Sequence, residues 1–240
     1  QAGSLDLGIS DAMGLLNARN AGIPAVYVSF NHGQTSNNYT HAIVTFDENI
    51  KSAADLAGKS VATNLSYNTD WAMMRAWLRN GGVDVESVQF REIPFPEMLG
   101  AVRSKSVDAV GMTEPFVTVA KLEGATVLEP FFAEVRSPNV FNGVLALEPW
   151  LEENPEIAAA FKEAIDKALT EFVNDPEIAR KTIGEHTKIP AEVVATMNLG
   201  VWDPQYEVEP ELKFWLETAK AEGLIDDDID TSGLIWTQAK

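Results

Sequence analysis

Alternation of two local patterns through residue 147 limits the fold of this chain more than any single motif does. Strand-like stretches at 5–9, 24–30, 41–46, 59–63, 87–93, 107–111 and 140–147 take turns with helix-like stretches near 11–20, 51–57, 68–80, 96–104 and 114–122. Helices placed between strands supply crossovers, so the expectation is an α/β fold with largely parallel sheets. After residue 147 the pattern turns to helices alone. Asn154-Pro155 makes a good start for one of them, and Ile157, Phe161, Ile165, Leu169 and Phe172 keep helical spacing behind it. Further helices are predicted over 175–186, 190–198 and 210–222, the last with Pro210 at its start and Gly223 past its end.

An internal comparison adds a constraint. Sliding the chain by 102 positions lays "SLDLGISDAMGLLNARNAGIPAV" over "SVDAVGMTEPFVTVAKLEGATVL" without a gap. Ser4 meets Ser106, Asp6 meets Asp108, Ala18 meets Ala120, Arg19 meets Lys121 and Gly22 meets Gly124. One strand-helix-strand design used twice points to two similar lobes rather than a solenoid. A helix, "PFPEMLGAVRSK", precedes the second copy, so Gln1-Ala2-Gly3 reads as the end of a corresponding helix before the first.

Bulk properties exclude several function classes. With 36 acidic against 18 basic residues the net charge is -18, which repels nucleic acid and anionic lipid. Zero cysteines rule out disulfides, thiolate metal sites and cysteine nucleophiles. The longest apolar runs, such as Val144 to Leu147, fall far short of the roughly 20 residues of a membrane span, so no membrane insertion of these residues is expected. His32 and His41 are nine positions apart with no third ligand at metal-site spacing, and read as surface or strand-end residues.

"SLDLGISD", "IKSAADLAGKSVATN", "SVDAVGMTEPF" and "VLALEPWLEENPE", in this order and spacing, resemble the solute-binding proteins of ABC importers in the nitrate, sulfonate and taurine class, related to thiamine-pyrimidine-precursor binding proteins. The likeness runs from the first residue to about residue 185. It implies a type II periplasmic-binding-protein fold: two α/β lobes joined by two crossing hinge strands, ligand in the cleft between them, and a helical C-terminal part. On this pattern residues 1–46 begin lobe one, 47–137 form lobe two, and 138–240 return to lobe one. Members of the family begin with a further strand-helix unit of about 30–40 residues, so lobe one is expected to lack that unit unless another chain supplies it.

In α/β sheets ligands bind outside the carboxyl ends of strands. That rule selects Ser10 and Asp11 after the first strand and Phe30, Asn31 and His32 after the second. In the second lobe it selects Asn64, Ser66, Tyr67, Asn68 and Thr69 within "TNLSYNTDW", then Phe95, then Thr113, Glu114 and Phe116, with Asn142 on the return strand. Free N–H groups at a helix start grip anions or carbonyl oxygens, and the resemblance implies ligand contact at this loop. The structural alternative is that Asn68 caps the helix and Asp70 complements its dipole. Glu114 faces a similar choice between starting a helix with Pro115 and accepting hydrogen bonds from a ligand. Phe95 stands between two prolines as either a stacking platform or core. No Lys or Arg lies in these loops, which favours a neutral or cationic, aromatic-compatible organic ligand over a small strong anion.

The resulting expectation is an extracytoplasmic solute-binding component of an ABC importer, non-enzymatic, with no cofactor and no metal. Its partners would be a small-molecule ligand and a transporter permease, with no nucleic acid. The chain would be a monomer, unless another chain supplies the missing unit, in the periplasm or outside the cell, free or lipid-anchored through a segment outside these residues. Two alternatives remain open at this point. One is a small-molecule enzyme on the same fold, of pyrimidine-synthase or dehydratase type; the other is the ligand-sensing domain of a receptor. No glycine-rich phosphate loop or HExxH motif supports the first.

Overall fold

A computed structural model describes residues 5–204, 206–226 and 229–237, so the helix end expected at Gln1-Ala2-Gly3 lies outside the described residues. In chain order the elements are β1 (Leu7–Asp11), α1 (Ala12–Asn20), β2 (Ala25–Gln34), β3 (His41–Thr45), a 3₁₀ turn (Ala53–Leu56), β4 (Ser60–Thr63) and α2 (Thr69–Asn80). A second 3₁₀ turn (Val85–Ser87), β5 (Gln89–Glu92), α3 (Phe95–Arg103), β6 (Ala109–Thr113), α4 (Phe116–Leu122), β7 (Thr126–Val127), α5 (Phe131–Val135) and β8 (Asn139–Leu147) follow. The remainder is α6 (Glu148–Glu153), α7 (Pro155–Asn174), α8 (Pro176–His186), α9 (Ala191–Thr196), β9 (Val201–Trp202) and α10 (Val208–Ala221). Two compact units result: unit 1 from Gln1–Gly33, Val140–Pro176 and Val201–Lys240, and unit 2 from Gln34–Asn139 and Glu177–Gly200.

Unit 1 is built on a sheet of order β1-β8-β2-β9. β1 runs antiparallel to β8, from Leu7 opposite Ala146 to Asp11 opposite Asn142, and β2 antiparallel to β9 at His32 and Trp202. These pairings depart from the expected parallel arrangement because β8 and β9 return from distant parts of the chain and not through short helical crossovers. Val26 and Val28 of β2 alternate inward, and Ala146, Leu151 and Ala158 close over them. α10 seats its fully buried Trp215 by donating the indole N–H to the Val140 carbonyl at 2.7 Å. β2 and β8 approach closely at Gly143, where a Cβ would collide with the Ser29 carbonyl oxygen, so the backbone contact requires glycine. Farther along β2, the Tyr27 amide donates to the Leu234 carbonyl and the Trp236 amide to the Tyr27 carbonyl, each at 2.8 Å.

Unit 2 has the sheet order β5-β4-β6-β3-β7. β4 is parallel to β5 and β6, while β3 is antiparallel to β6 and β7. Asp108 fastens β4 beside β6 by accepting from the Ser60 amide at 2.8 Å and its hydroxyl at 2.7 Å. Ala42, Val44, Ala62, Val110 and Met112 meet Met98 and Val102 of α3 and Val117 of α4 in the core.

The first passage between units falls at residues 33 and 34, ahead of the expected 46, because β3 pairs with β6 and β7. Residues 177–200 belong to unit 2 and not with the rest of the C-terminal part. Their bonds explain it: Asn38 exchanges a pair of hydrogen bonds with Gly200, and the Asn198 amide donates to Glu114.

The internal repeat has a structural counterpart. β1 and β6 have bounds 102 positions apart. At the ends of the helices that follow, the bonds Ala21 to Asn17, Gly22 to Arg19 and Ile23 to Ala18 recur as Glu123 to Val119, Gly124 to Lys121 and Ala125 to Ala120. Gly22 and Gly124 both take positive φ there, at 75° and 85°. α2 and α10 close with the same bond pattern, so the shared strand bounds, rather than the ending, carry the repeat.

Candidate functional site

In unit 1 the carboxyl ends of β1 and β2 and the start of β8 bring the expected residues to one sheet margin. Asp11 lies opposite Asn142 in the β1–β8 register. Its Oδ1 accepts from the Gly14 amide at 2.7 Å, the N-cap bond of α1. The Ser10 carbonyl accepts from the Tyr27 hydroxyl at 3.1 Å. Burial, with the charge of Asp11 second, pushes that hydroxyl well above its ordinary pKa, so it remains a donor. Asn31 Nδ2 donates to Ser29 Oγ at 2.6 Å, and Asn142 Oδ1 accepts from the Gly143 amide at 2.8 Å.

Asn31 and Asn142 share a cavity of about 260 Å³ that lies wholly within unit 1. Ser10 and Asp11 are not among its lining residues. His32, which the strand-end rule also selects, does line it, and so does Trp202. β2 continues past His32 to Gln34 and holds its ring between Phe141 at 5.4 Å and Trp202 at 5.9 Å. Trp202 reaches the cavity because β9 sets it beside β2, opposite His32. The signal available was Asn31-His32-Gly33 itself, a polar continuation of an apolar strand.

In unit 2 the ends of β4, β5 and β6 and the start of β3 share one sheet margin, with His41 opposite Thr113. The loop 64–69 is cross-braced. Asn68 caps α2 through Oδ1, which accepts from the Trp71 amide at 3.0 Å, while its Nδ2 donates to Asn64 Oδ1 at 3.0 Å. The Ser66 amide donates to Glu92 at 2.9 Å, and hydrogen bonds from Ser66 hold that exposed carboxyl below its usual range. Tyr67 takes φ 66° and stays exposed, its ring 5.1 Å from Trp71. Thr69 Oγ1 is buried without a hydrogen-bond partner. Behind this loop, sequence reasoning overlooked a buried link: His41 Nε2 stands 3.4 Å from Asp70 Oδ1, and Phe132 packs on the imidazole at 4.7 Å. That link ties the start of β3 to the first turn of α2.

Phe95 stacks with Phe116 at 6.2 Å, both packed against the unit 2 core. Glu114 is occupied within its own unit: Oε1 accepts from the Thr118 hydroxyl at 3.0 Å and the Asn198 amide at 3.2 Å, and Oε2 from the Thr118 amide at 3.0 Å. Burial raises its pKa, and these bonds offset that only in part. Among the described residues no group of three or more His, Asp or Glu side chains stands in metal-binding geometry, and no helix is long and apolar enough to cross a membrane.

Known proteins complete the picture. Residues 1–179 match the NMT1/THI5-like family, whereas no curated protein sequence matches the chain. The periplasmic aliphatic sulphonate binding protein SsuA from Escherichia coli is similar in structure, with a TM-score of 0.79 at 22% identity over 98% of this chain and 80% of that one. The alkanesulfonate-binding protein SsuA from Xanthomonas axonopodis pv. citri, solved with MOPS, gives 0.80 at 18% identity over 98% and 81%. A putative periplasmic sulfonate-binding SsuA from Methylobacillus flagellatus gives 0.72 at 20% identity over 98% and 73%. At such identities the structural likeness establishes the fold. With the family match covering most of its length, this chain belongs to the NMT1/THI5-like family and has the periplasmic-binding-protein fold.

Proposed function

We infer that this chain is the extracytoplasmic solute-binding component of an ABC importer, which takes up a small organic ligand and delivers it to a membrane permease. The observation that carries this reading is the placement of uncharged hydrogen-bonding side chains at strand ends in each unit. Asn31 and Asn142 line the cavity of unit 1, and Asn64 to Thr69 form the loop that opens α2 in unit 2. Strand-end loops are where folds of this kind bind ligands, and the neighbours of this fold are described as binding proteins. Ligand that binds only the native state stabilises it by about 2.7 kcal/mol at a hundredfold excess over Kd.

Thermal shift and calorimetry against sulfonates, nitrate, pyrimidines, flavins, amides and aromatic acids test the reading. At least one class raises Tm by several degrees and gives a saturable heat. Asn68→Ala then weakens binding of that ligand beyond its effect on stability. Silence across the whole panel would defeat the proposal.

A further inference from the structure

The unit 1 cavity has a chemical character of its own. Its polar wall is a matched pair of carboxamides. Asn31 gives one N–H to Ser29 and keeps its Oδ1 to present as an acceptor; Asn142 accepts from the Gly143 amide through Oδ1 and keeps its NH₂ to present as a donor. The rest of the lining is largely apolar: Val144, beside Asn142 on the same face of β8, Ile165 and Leu169 of α7, and Trp202. Ile9 stands at the margin, 79% exposed.

Among the described residues that line this cavity, none carries a permanent charge, and His32 is the one titratable group. The nearest carboxylates in the sheet lie outside the lining: Asp11, which caps α1, and Asp203, next to Trp202, whose amide donates to the Asn31 carbonyl. Lys162, Glu163, Asp166 and Lys167 of α7 line a different groove. An ionised ligand head would therefore lose its hydration here without gaining a counter-charge, which is costly. For an anion, the net charge of -18 adds a further penalty. A head carrying one acceptor and one donor side by side meets neither penalty.

We propose that this cavity is a subsite for a ligand with an uncharged amide head, a carboxamide or lactam, on a compact apolar body. Asn142 donates to the head's carbonyl oxygen and Asn31 accepts from its N–H. Ile165, Leu169 and Val144 take the body, and the His32 and Trp202 rings form its end wall. This subsite rests on the solute-binding reading and narrows its ligand.

Calorimetry of the whole chain at neutral pH with benzamide and its isostere benzoate tests it. Benzamide binds at least about tenfold tighter than benzoate. Asn142→Leu, which removes the donor, and Ile165→Phe, which narrows the apolar wall from α7, each lower benzamide affinity about tenfold or more. Benzoate binding as tightly as benzamide overturns the inference. So does benzamide affinity that both variants leave unchanged. Saturable binding of another solute with no benzamide binding at millimolar concentration removes the amide subsite and leaves the solute-binding reading intact; silence from every compound removes both.

Discussion

β1–α1 in unit 1 and β6–α4 in unit 2 share a sequence pattern, a spacing and a helix ending, yet their surroundings differ. β6 lies between β4 and β3, with its residues from Ala109 to Met112 buried. β1 is at the end of its sheet, paired with β8, and Ile9 is largely exposed. The offset partner of Ile9 is Gly111, whose missing side chain makes room for Met74. Capping diverges as well. Asp11 binds the Gly14 amide, three residues on, whereas Glu114 reaches the Thr118 amide four residues on and also holds Asn198. A repeated backbone design thus tolerates different chemistry at its loop, provided the glycine that ends the helix stays in place.

Substitution at close-packed glycines should separate the two units most sharply. Gly143→Ala in unit 1 sets a methyl group against the Ser29 carbonyl, a backbone atom that cannot swing aside. Its expected cost is about 3 kcal/mol or more, read from the urea midpoint. Gly111→Ala in unit 2 meets only the flexible end of Met74 and costs about 1 kcal/mol. Equal losses would show that backbone contact is not what distinguishes the sites.

At the repeated helix endings the expectation is sameness. Gly22→Ala and Gly124→Ala each force a methyl group into positive φ and lower stability by about 1 kcal/mol, equal within error by chemical denaturation. A clear inequality would mean that the two endings share geometry without sharing energetics. Asp11→Ala removes the cap of α1 at about 1 kcal/mol, and the same loss is expected of Asn68→Ala at α2.

The smallest expected effect is a pH dependence. Burial raises Glu114 above its ordinary 4.5, so the native state holds this proton more tightly than the unfolded chain. The penalty for its charge is present in full above the raised native value and disappears below 4.5. Relative to Glu114→Gln, wild type therefore gains stability as pH falls through that window, by on the order of one or two degrees in Tm. Asp108 moves oppositely. Burial is the largest single influence on it and acts upward, but the Ser60 bonds and Lys59 together lower its pKa, so its contribution is lost as pH falls through the lowered value.

Long periodic segments were legible in the sequence, and short ones were not. The cap and tail residues of α1, α2 and α7 mark their bounds to within a residue or two, because Asp11, Asn68 and Asn154-Pro155 act locally. β7 and β9 are two residues each and exist only through partners far along the chain, so no local period announces them. α5, with Phe131 and Phe132 buried together, has five residues, too few to show a helical period. The strand-end rule found Asn31, Asn142 and the loop 64–69. It also selected His32, but it missed Trp202 as a cavity residue because that role comes from the β2–β9 pairing, and it missed the His41–Asp70 link because that link joins elements distant in sequence. The same long-range bonds, from Asn38 and Glu114, assign residues 177–200 to unit 2.

The backbone bonds from Tyr27 to residues 234 and 236 bear on the order in which the protein is made. Unit 2 has all of its residues once the chain has been synthesised to Gly200. Unit 1 begins ahead of unit 2 along the chain, yet β2 waits for β8, then for β9, and finally for the stretch around Ile235. Pairings of such high sequence separation form slowly and late. During synthesis the early strands of unit 1 are therefore exposed for longest, and a ribosome stall between residues 200 and 234 would leave unit 2 able to fold beside an unfinished sheet.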